Sequence, residues 1–237
     1  MVIVNSLPMK SHRLPLCSLA AALLGFLTSA PVHADEISIW LAGKARTVSG
    51  GLVLPDSRGT YDLEMKDATG VSIGEKPPGG GDTKSIEFSG TQTSVFRSVT
   101  PFPAVAGALK VELEAMIPEA AGGEDSTLLR HGTQWEIRFT ARNMSYAFII
   151  WHDSNVFTEV RVPVKLGEWN TITAEYTGQK LTLRVGKDSA EAVPKDVLRE
   201  DTGPAALLMG SSTTKVLEES VPRIFHGSMA NIRISLD

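Results

Sequence analysis

Residues 165–192, KLGEWNTITAEYTGQKLTLRVGKDSAEA, decide the fold. Trp169, Ile172, Ala174 and Tyr176 mark one face of a run in which Thr171, Thr173 and Glu175 mark the other, the period-two alternation of a half-buried strand. Thr177-Gly178-Gln179 supplies a turn, after which Leu181, Leu183 and Val185 are apolar against Thr182 and Arg184, so the two runs pair as an antiparallel hairpin. Gly186-Lys187-Asp188 then turns the chain into a third run. Working outward, 108–118 (ALKVELEAMIP) alternates Leu109, Val111, Leu113 and Ala115 against Lys110, Glu112 and Glu114. Trp135, Ile137 and Phe139 alternate with Glu136, Arg138 and Thr140, and Val160, Val162 and Val164 with Glu159 and Arg161. Many short strands with turn signals between them describe an all-β chain, and 237 residues at 42% hydrophobic and 21% charged are enough for one sandwich with its own core.

The first 34 residues differ in kind. Lys10 and Arg13 precede an apolar run over 14–27, and Val32-His33-Ala34 ends it with small residues, the pattern of a secretory signal cleaved after Ala34. Met9 opens a more compact signal than Met1. The expected organisation is a signal peptide at 1–34 and one domain at 35–237, secreted or periplasmic, with no membrane span. Cleavage removes Lys10 and Arg13 and no acid, which moves the formal charge from −4 to about −6 and argues against nucleic acid as a partner. The single cysteine, Cys17, lies in the signal, so the mature chain has neither disulfides nor thiolate metal ligands.

Several motifs together resemble the laminin-G-like, concanavalin-A-like jelly-roll domains. They are Gly167-x-Trp169, a strand ending in Tyr176-Thr177-Gly178, and Leu181-x-Leu183-x-Val185-Gly186-Lys187. Upstream, the Asp56-Ser57-Arg58-Gly59 turn before a strand at 61–65, and Phe88-Ser89-Gly90 at the end of another, are similar to the family. The segment 227–234 resembles its closing strand, with Ala230-Asn231 where relatives carry an acidic pair. The resemblance runs from Asp56 to Asp237 and implies a two-sheet antiparallel β-sandwich of concanavalin A-like jelly-roll type. It further implies binding of a glycan or of an extracellular or periplasmic protein, and Ca2+ held at a loop-rich edge, for which Asp56, Asp153 and Asn155 are the candidates.

One strand breaks the alternation. In 145–152, Ala147, Ile149 and Trp151 face one way and Tyr146, Phe148, Ile150 and His152 the other, so both faces must be covered, whether by a loop, a partner or a ligand. Aromatic rings on a sheet face are what sugars stack on. Tyr146, Phe148 and His152, or Trp151 if the facing is inverted, are therefore the ligand-site candidates, with Arg138 and Arg161 to orient a ring.

Catalytic signals are weak. Glycoside hydrolases on this architecture carry carboxylates at alternating positions of one strand as Glu-x-Asp-x-x-Glu; Glu112-x-Glu114 supplies two, and Ile117 stands where the acid is needed. Gly79-Gly80-Gly81-Asp82-Thr83-Lys84-Ser85 has the wrong order for a phosphate loop and reads as a strand connection. His131, His152 and His226 have no zinc spacing, there is no Gly-x-Ser-x-Gly elbow, and Asn143-Met144-Ser145 is a bare glycosylation triplet. The reading is a noncatalytic carbohydrate- or partner-binding domain. One alternative is a polysaccharide hydrolase or lyase, which requires Glu112, Glu114 or Glu136 in a cleft; the other is an assembly domain with no small ligand. A short helical turn is expected at 195–200.

Overall fold

The computed structural model describes residues 35–75, 84–91, 94–153, 155–200, 205–212 and 223–237. The signal segment, the glycine-rich connection at 77–82 and Thr83 lie outside the described residues. The strands, in chain order, are β1 (Asp35–Trp40), β2 (Arg46–Val48), β3 (Gly51–Leu54), β4 (Leu63–Met65), β5 (Val71–Glu75) and β6 (Lys84–Ser89). They continue with β7 (Phe96–Ser98), β8 (Leu109–Met116), β9 (Ser126–His131), β10 (Trp135–Thr140), β11 (Ser145–Asp153) and β12 (Val156–Pro163). The last are β13 (Asn170–Tyr176), β14 (Leu181–Val185), β15 (Asp188–Ala192), β16 (Leu207–Met209) and β17 (His226–Leu236). Two antiparallel sheets face each other. The first runs β15-β14-β13-β8-β17-β6-β5, with β1 also on β17; the second runs β12-β11-β10-β9-β16-β7-β4-β3-β2.

The expected hairpins are present: Tyr176 pairs with Leu181 in β13–β14 and Val185 with Asp188 in β14–β15. Gly178 and Gly186 take positive φ in the two turns, 79° and 58°, a conformation in which a Cβ would be strained. Ile172, Ala174 and Tyr176 are buried as expected, whereas Trp169 lies ahead of β13 and is half-buried. In β1 the core face is the one carrying Trp40, whose indole N–H donates to the Tyr61 carbonyl at 2.9 Å; Ile39 is only half-buried.

The core follows from the alternation. Leu109, Val111, Leu113 and Ala115 of β8 and Met229, Ile232 and Ile234 of β17 point inward from one sheet, and Trp135, Ile137 and Phe139 of β10 from the other, all buried. Truncating one such side chain, Leu113→Ala for instance, removes about 2–5 kcal/mol, because the facing sheet cannot collapse into the gap. Strand β17 slips register against β8 between Ala230 and Arg233, where Asn231 takes φ 51° and donates from Nδ2 to Glu114 Oε2 at 2.8 Å. A side chain tolerant of the left-handed region thus makes the bulge. The acidic pair of the resembling family would stand here, and Asn231 serves the backbone instead.

The Asp56 turn is held by its own carboxylate. Oδ1 accepts the Ile39 N–H at 3.3 Å, and Oδ2 accepts those of Thr60 and Tyr61 at 3.2 and 3.3 Å. Segment 193–200 makes no helical turn, contrary to expectation. It crosses the end of the sandwich as an extended strap, with Lys195 N donating to Thr158 Oγ1 at 2.9 Å and Arg199 N to the Trp151 carbonyl at 2.8 Å. Gln134, buried, accepts from Val105 N at 2.8 Å and donates to the carbonyls of Val105 and Arg199 at 3.2 and 3.0 Å, tying this strap to the loop after Phe102.

Candidate functional site

Strand β11 decides where the predicted site residues go. Tyr146, Phe148 and Ile150 point into the core and have no exposed surface. The facing is therefore the inverted one, and neither the Tyr146 nor the Phe148 ring can stack a ligand. Tyr146 packs edge-on against Phe139 at 6.3 Å, and its buried hydroxyl has no hydrogen-bond partner among the described residues; burial pushes its pKa well above the ordinary tyrosine range. His152 is also engaged. Its Nδ1 lies 2.8 Å from the Val197 carbonyl and its Nε2 2.8 Å from Thr158 Oγ1. A carbonyl only accepts, so Nδ1 carries the proton and Nε2 accepts from the threonine, whose oxygen in turn accepts from Lys195. His152 is the clasp of the strap, with both ring nitrogens used.

The outward face of the same sheet brings the other three together. Arg138 on β10 and Arg161 on β12 lie in register on either side of Ala147. Glu159 on β12 accepts from both: Arg138 Nη2 to Oε1 at 3.0 Å and Arg161 Nη2 to Oε2 at 2.6 Å. To reach Glu159, the Arg138 side chain must pass over β11. That bridge covers Ala147 and Ile149, which are buried although they face away from the core. The second apolar face of β11 is thus closed by an ion-pair network from its neighbouring strands. Arg161 keeps 39% of its side chain exposed against 13% for Arg138, so Arg161 is the one that can reach a ligand. One row further, Trp151 and Phe157 pair across β11 and β12 with ring centroids 5.1 Å apart at 59°, both half-buried, beside the exposed Val156. On the other flank Glu136, fully buried, accepts from Thr127 Oγ1 at 2.5 Å and faces Arg223 Nη2 at 3.4 Å.

On the outward face of the first sheet, β5, β6, β17 and β8 enclose a cleft of about 510 Å³. Ser72, Glu87, Ser89, Met116, His226 and Ser228 line it. Glu112, Glu114 and Glu136 do not. Glu112 pairs with Lys110 at 2.9 Å, Glu114 accepts from Asn231, and Glu136 is buried under Arg223, so the three carboxylates named for a hydrolytic alternative do not converge. Among the described residues, no group of three or more His, Cys, Asp or Glu is placed to hold a metal ion. Asp56, a candidate calcium ligand, turns both oxygens toward backbone N–H groups and does not fit that role. Among the described residues no helix is long and apolar enough to cross a membrane.

Comparison with known proteins identifies the architecture. No protein-family model matches the chain, and no curated protein matches it in sequence. Solved structures do. The binding domain of botulinum neurotoxin serotype D matches over 85% of this chain with a TM-score of 0.58 at 11% identity, and the match covers 48% of that domain. The binding domain of Paraclostridial Mosquitocidal Protein 1 matches over 85% with a TM-score of 0.56 at 13% identity, again covering 48% of that chain. The binding domain of botulinum neurotoxin DC, solved in complex with SialylT, matches over 85% with a TM-score of 0.54 at 10% identity and 48% of its length covered. The chain is similar to these in fold: a two-sheet antiparallel sandwich of jelly-roll type. It spans about half the length of each.

Proposed function

We propose that this chain is an exported, noncatalytic binding domain of the laminin-G-like, concanavalin-A-like type whose ligand is carbohydrate. The observation that carries the reading is the half-exposed Trp151–Phe157 pair lying one row from the Glu159 carboxylate and two from Arg161 on a single sheet face. An aromatic platform offers its surface to the C–H face of a sugar ring, and a fork of guanidinium and carboxylate fixes the direction of the hydroxyls. Two fold neighbours are described as bound to other molecules, one botulinum neurotoxin binding domain in complex with SialylT and another with rat synaptotagmin II, which supports a binding role without naming a ligand here. The secretory pattern at 1–34 supports export, with the mature chain beginning at Asp35.

A glycan and polysaccharide screen tests this, with wild type beside Trp151→Ala and Arg161→Ala. The expected result is selective binding that weakens about tenfold to a hundredfold in Trp151→Ala while the melting temperature of Arg161→Ala stays near wild type. Absence of glycan binding, or binding indifferent to both changes, overturns it. The exposed Val156 on edge strand β12 beside the same aromatic pair favours one second reading, a protein partner on this face, for which pull-down with the same two variants is the measure.

A further inference from the structure

The strands at the ends of the two sheets are β15 and β5 in the first and β12 and β2 in the second, and β12 is the longest of these, eight residues against five, five and three. The ladder defines its free edge. Val164 N donates to the Met144 carbonyl at 2.9 Å, which continues the β11–β12 pairing and fixes its phase. The even-numbered residues of β12 therefore turn their backbone N–H and C=O toward β11, and Phe157, Glu159 and Arg161 turn theirs away. Among the described residues no backbone group pairs with these three. The strap at 193–200 passes close by but bonds β12 only through the Thr158 side chain. A long edge with unpaired donors and acceptors is a template for another strand, and monomeric proteins blunt such edges with bulges, prolines or inward charges. In β12 the one register shift against β11 lies at its start, beside Val156, the only proline is its last residue, Pro163, and the core-facing residues are Thr158, Val160 and Val162.

We infer that β12 pairs with the β12 of a second copy of this chain, antiparallel about a two-fold axis at Val160, so that the second sheet continues from one protomer into its partner. The order of the side chains selects that axis. Odd-numbered residues must meet odd-numbered ones, because they carry the free backbone groups, and only a centre at Val160 overlaps the whole of 157–163. Glu159 then stands opposite the partner's Arg161 and Phe157 opposite the partner's Pro163, all on the outer face. Axes at Glu159 or at Arg161 set a charge against its own copy, which destabilises a sheet. With the axis at Val160, each Glu159–Arg161 pair exchanges both backbone hydrogen bonds, and Phe157 N–H donates to the partner's Pro163 carbonyl. The N–H that proline lacks is missed only at the end of the ladder. Each Glu159 carboxylate, already shared by Arg138 and Arg161 of its own chain, joins a network of ion pairs that spans both copies. Just beyond, the exposed Val156 comes opposite the partner's Val164. The contact is isologous, the same patch on both protomers, and therefore closes as a dimer. The added strand lies in the plane of the sheet, so the outer face at Trp151 stays open and the pairing does not depend on a glycan ligand.

The test is sedimentation velocity on the purified protein from about 1 to about 200 μM, since an edge contact is a small interface whose dissociation constant is expected on the order of 10 μM. A reversible equilibrium of monomer and dimer is the expected result. Arg161→Pro removes a free-edge N–H without touching the bonds to β11, and it is expected to weaken dimerisation at least about tenfold while the monomer stays folded. The register is read by cysteine trapping in a Cys17→Ser background, which leaves the chain no other cysteine. Residues facing each other on the axis form a non-hydrogen-bonded pair with Cα atoms about 4.5 Å apart, within reach of a disulfide. Val160→Cys is therefore expected to give a covalent dimer on oxidation that reductant reverses, whereas Val162→Cys, which comes opposite the partner's Thr158, gives none. Trapping decides the matter even where Arg161→Pro fails to fold. The inference is overturned if the protein stays monomeric throughout the range, if dimers persist unchanged in folded Arg161→Pro, or if Val162→Cys crosslinks as readily as Val160→Cys.

Discussion

Tyr146 shows at the scale of one residue what the fold tolerates in its interior. Its ring fills core volume against Phe139, yet its hydroxyl is buried without a partner among the described residues, so the O–H contributes a desolvation penalty and no bond there. Tyr146→Phe removes the penalty and keeps the ring. The expected outcome is a protein as stable as wild type or more stable by about 1 kcal/mol in urea unfolding at neutral pH. The pH dependence has a definite sign. Burial raises the folded-state value above the unfolded one near 10, so the unfolded chain releases its proton first. Stability is then full below about pH 10 and falls as pH rises beyond it, because the unfolded state binds fewer protons. Tyr146→Phe flattens that alkaline decline. Part of it persists through Tyr176, which burial also pushes upward. An unchanged slope above pH 10 in the variant would show that the Tyr146 hydroxyl ionises alike in the folded and unfolded chains, as it would if it reached water.

At the scale of elements, the strap at 193–200 is held to the end of the second sheet by Thr158, His152, Trp151 and Gln134. His152→Ala removes the bond to Val197 and the acceptor for the Thr158 hydroxyl, while Lys195 and Arg199 keep their backbone contacts. The expected effect is local: amide exchange at 195–199 accelerates about tenfold, with global stability lowered by about 1–2 kcal/mol. Exchange at these amides unchanged from wild type would remove His152 from that role. The strap also explains what was and was not legible beforehand. Strands β8, β10, β12, β13 and β14 were readable because each has one apolar face. Strand β11 was readable as a strand covered on both sides, but which face met the core was open. Sequence presents Arg138 and Glu159 as solvated polar positions, and only the register of β10, β11 and β12 reveals that they meet above Ala147 and Ile149. Of the two facings left open, the one observed puts Tyr146 and Phe148 in the core, while Trp151, Arg138 and Arg161 share the outer surface. The cleft was missed because Ser72 and Glu87 look like the polar half of an ordinary alternation.

At the scale of the whole molecule, the first described strand closes on the last. Residues 35–40 of β1 pair with Ile232–Leu236 of β17, so partners about 190–200 residues apart in sequence lie side by side. β17 is the hub: β8 lies along one edge, and β6 and β1 divide the other, β6 taking the half that begins at His226 and β1 the half that ends at Leu236. Trp40, fully buried, is the principal apolar anchor of β1, through its bond to the Tyr61 carbonyl and its ring contact with Phe102 at 6.1 Å. Bringing such distant strands together carries a large loop-closure entropy before any contact compensates it, which places the fold among slowly folding topologies, in milliseconds to seconds. The β13–β14–β15 hairpins and the β10–β11–β12 meander are local and can form first. Strand β1 should therefore dock after the rate-limiting step. Trp40→Ala is expected to lower stability by about 3–5 kcal/mol, with nearly all of the change in a faster unfolding rate and little in the refolding rate. Stopped-flow chevrons of wild type and variant in urea decide it. A refolding arm slowed in proportion to the lost stability would instead put β1 in the folding nucleus, and would mean that the sandwich assembles around its β17 hub from both edges at once.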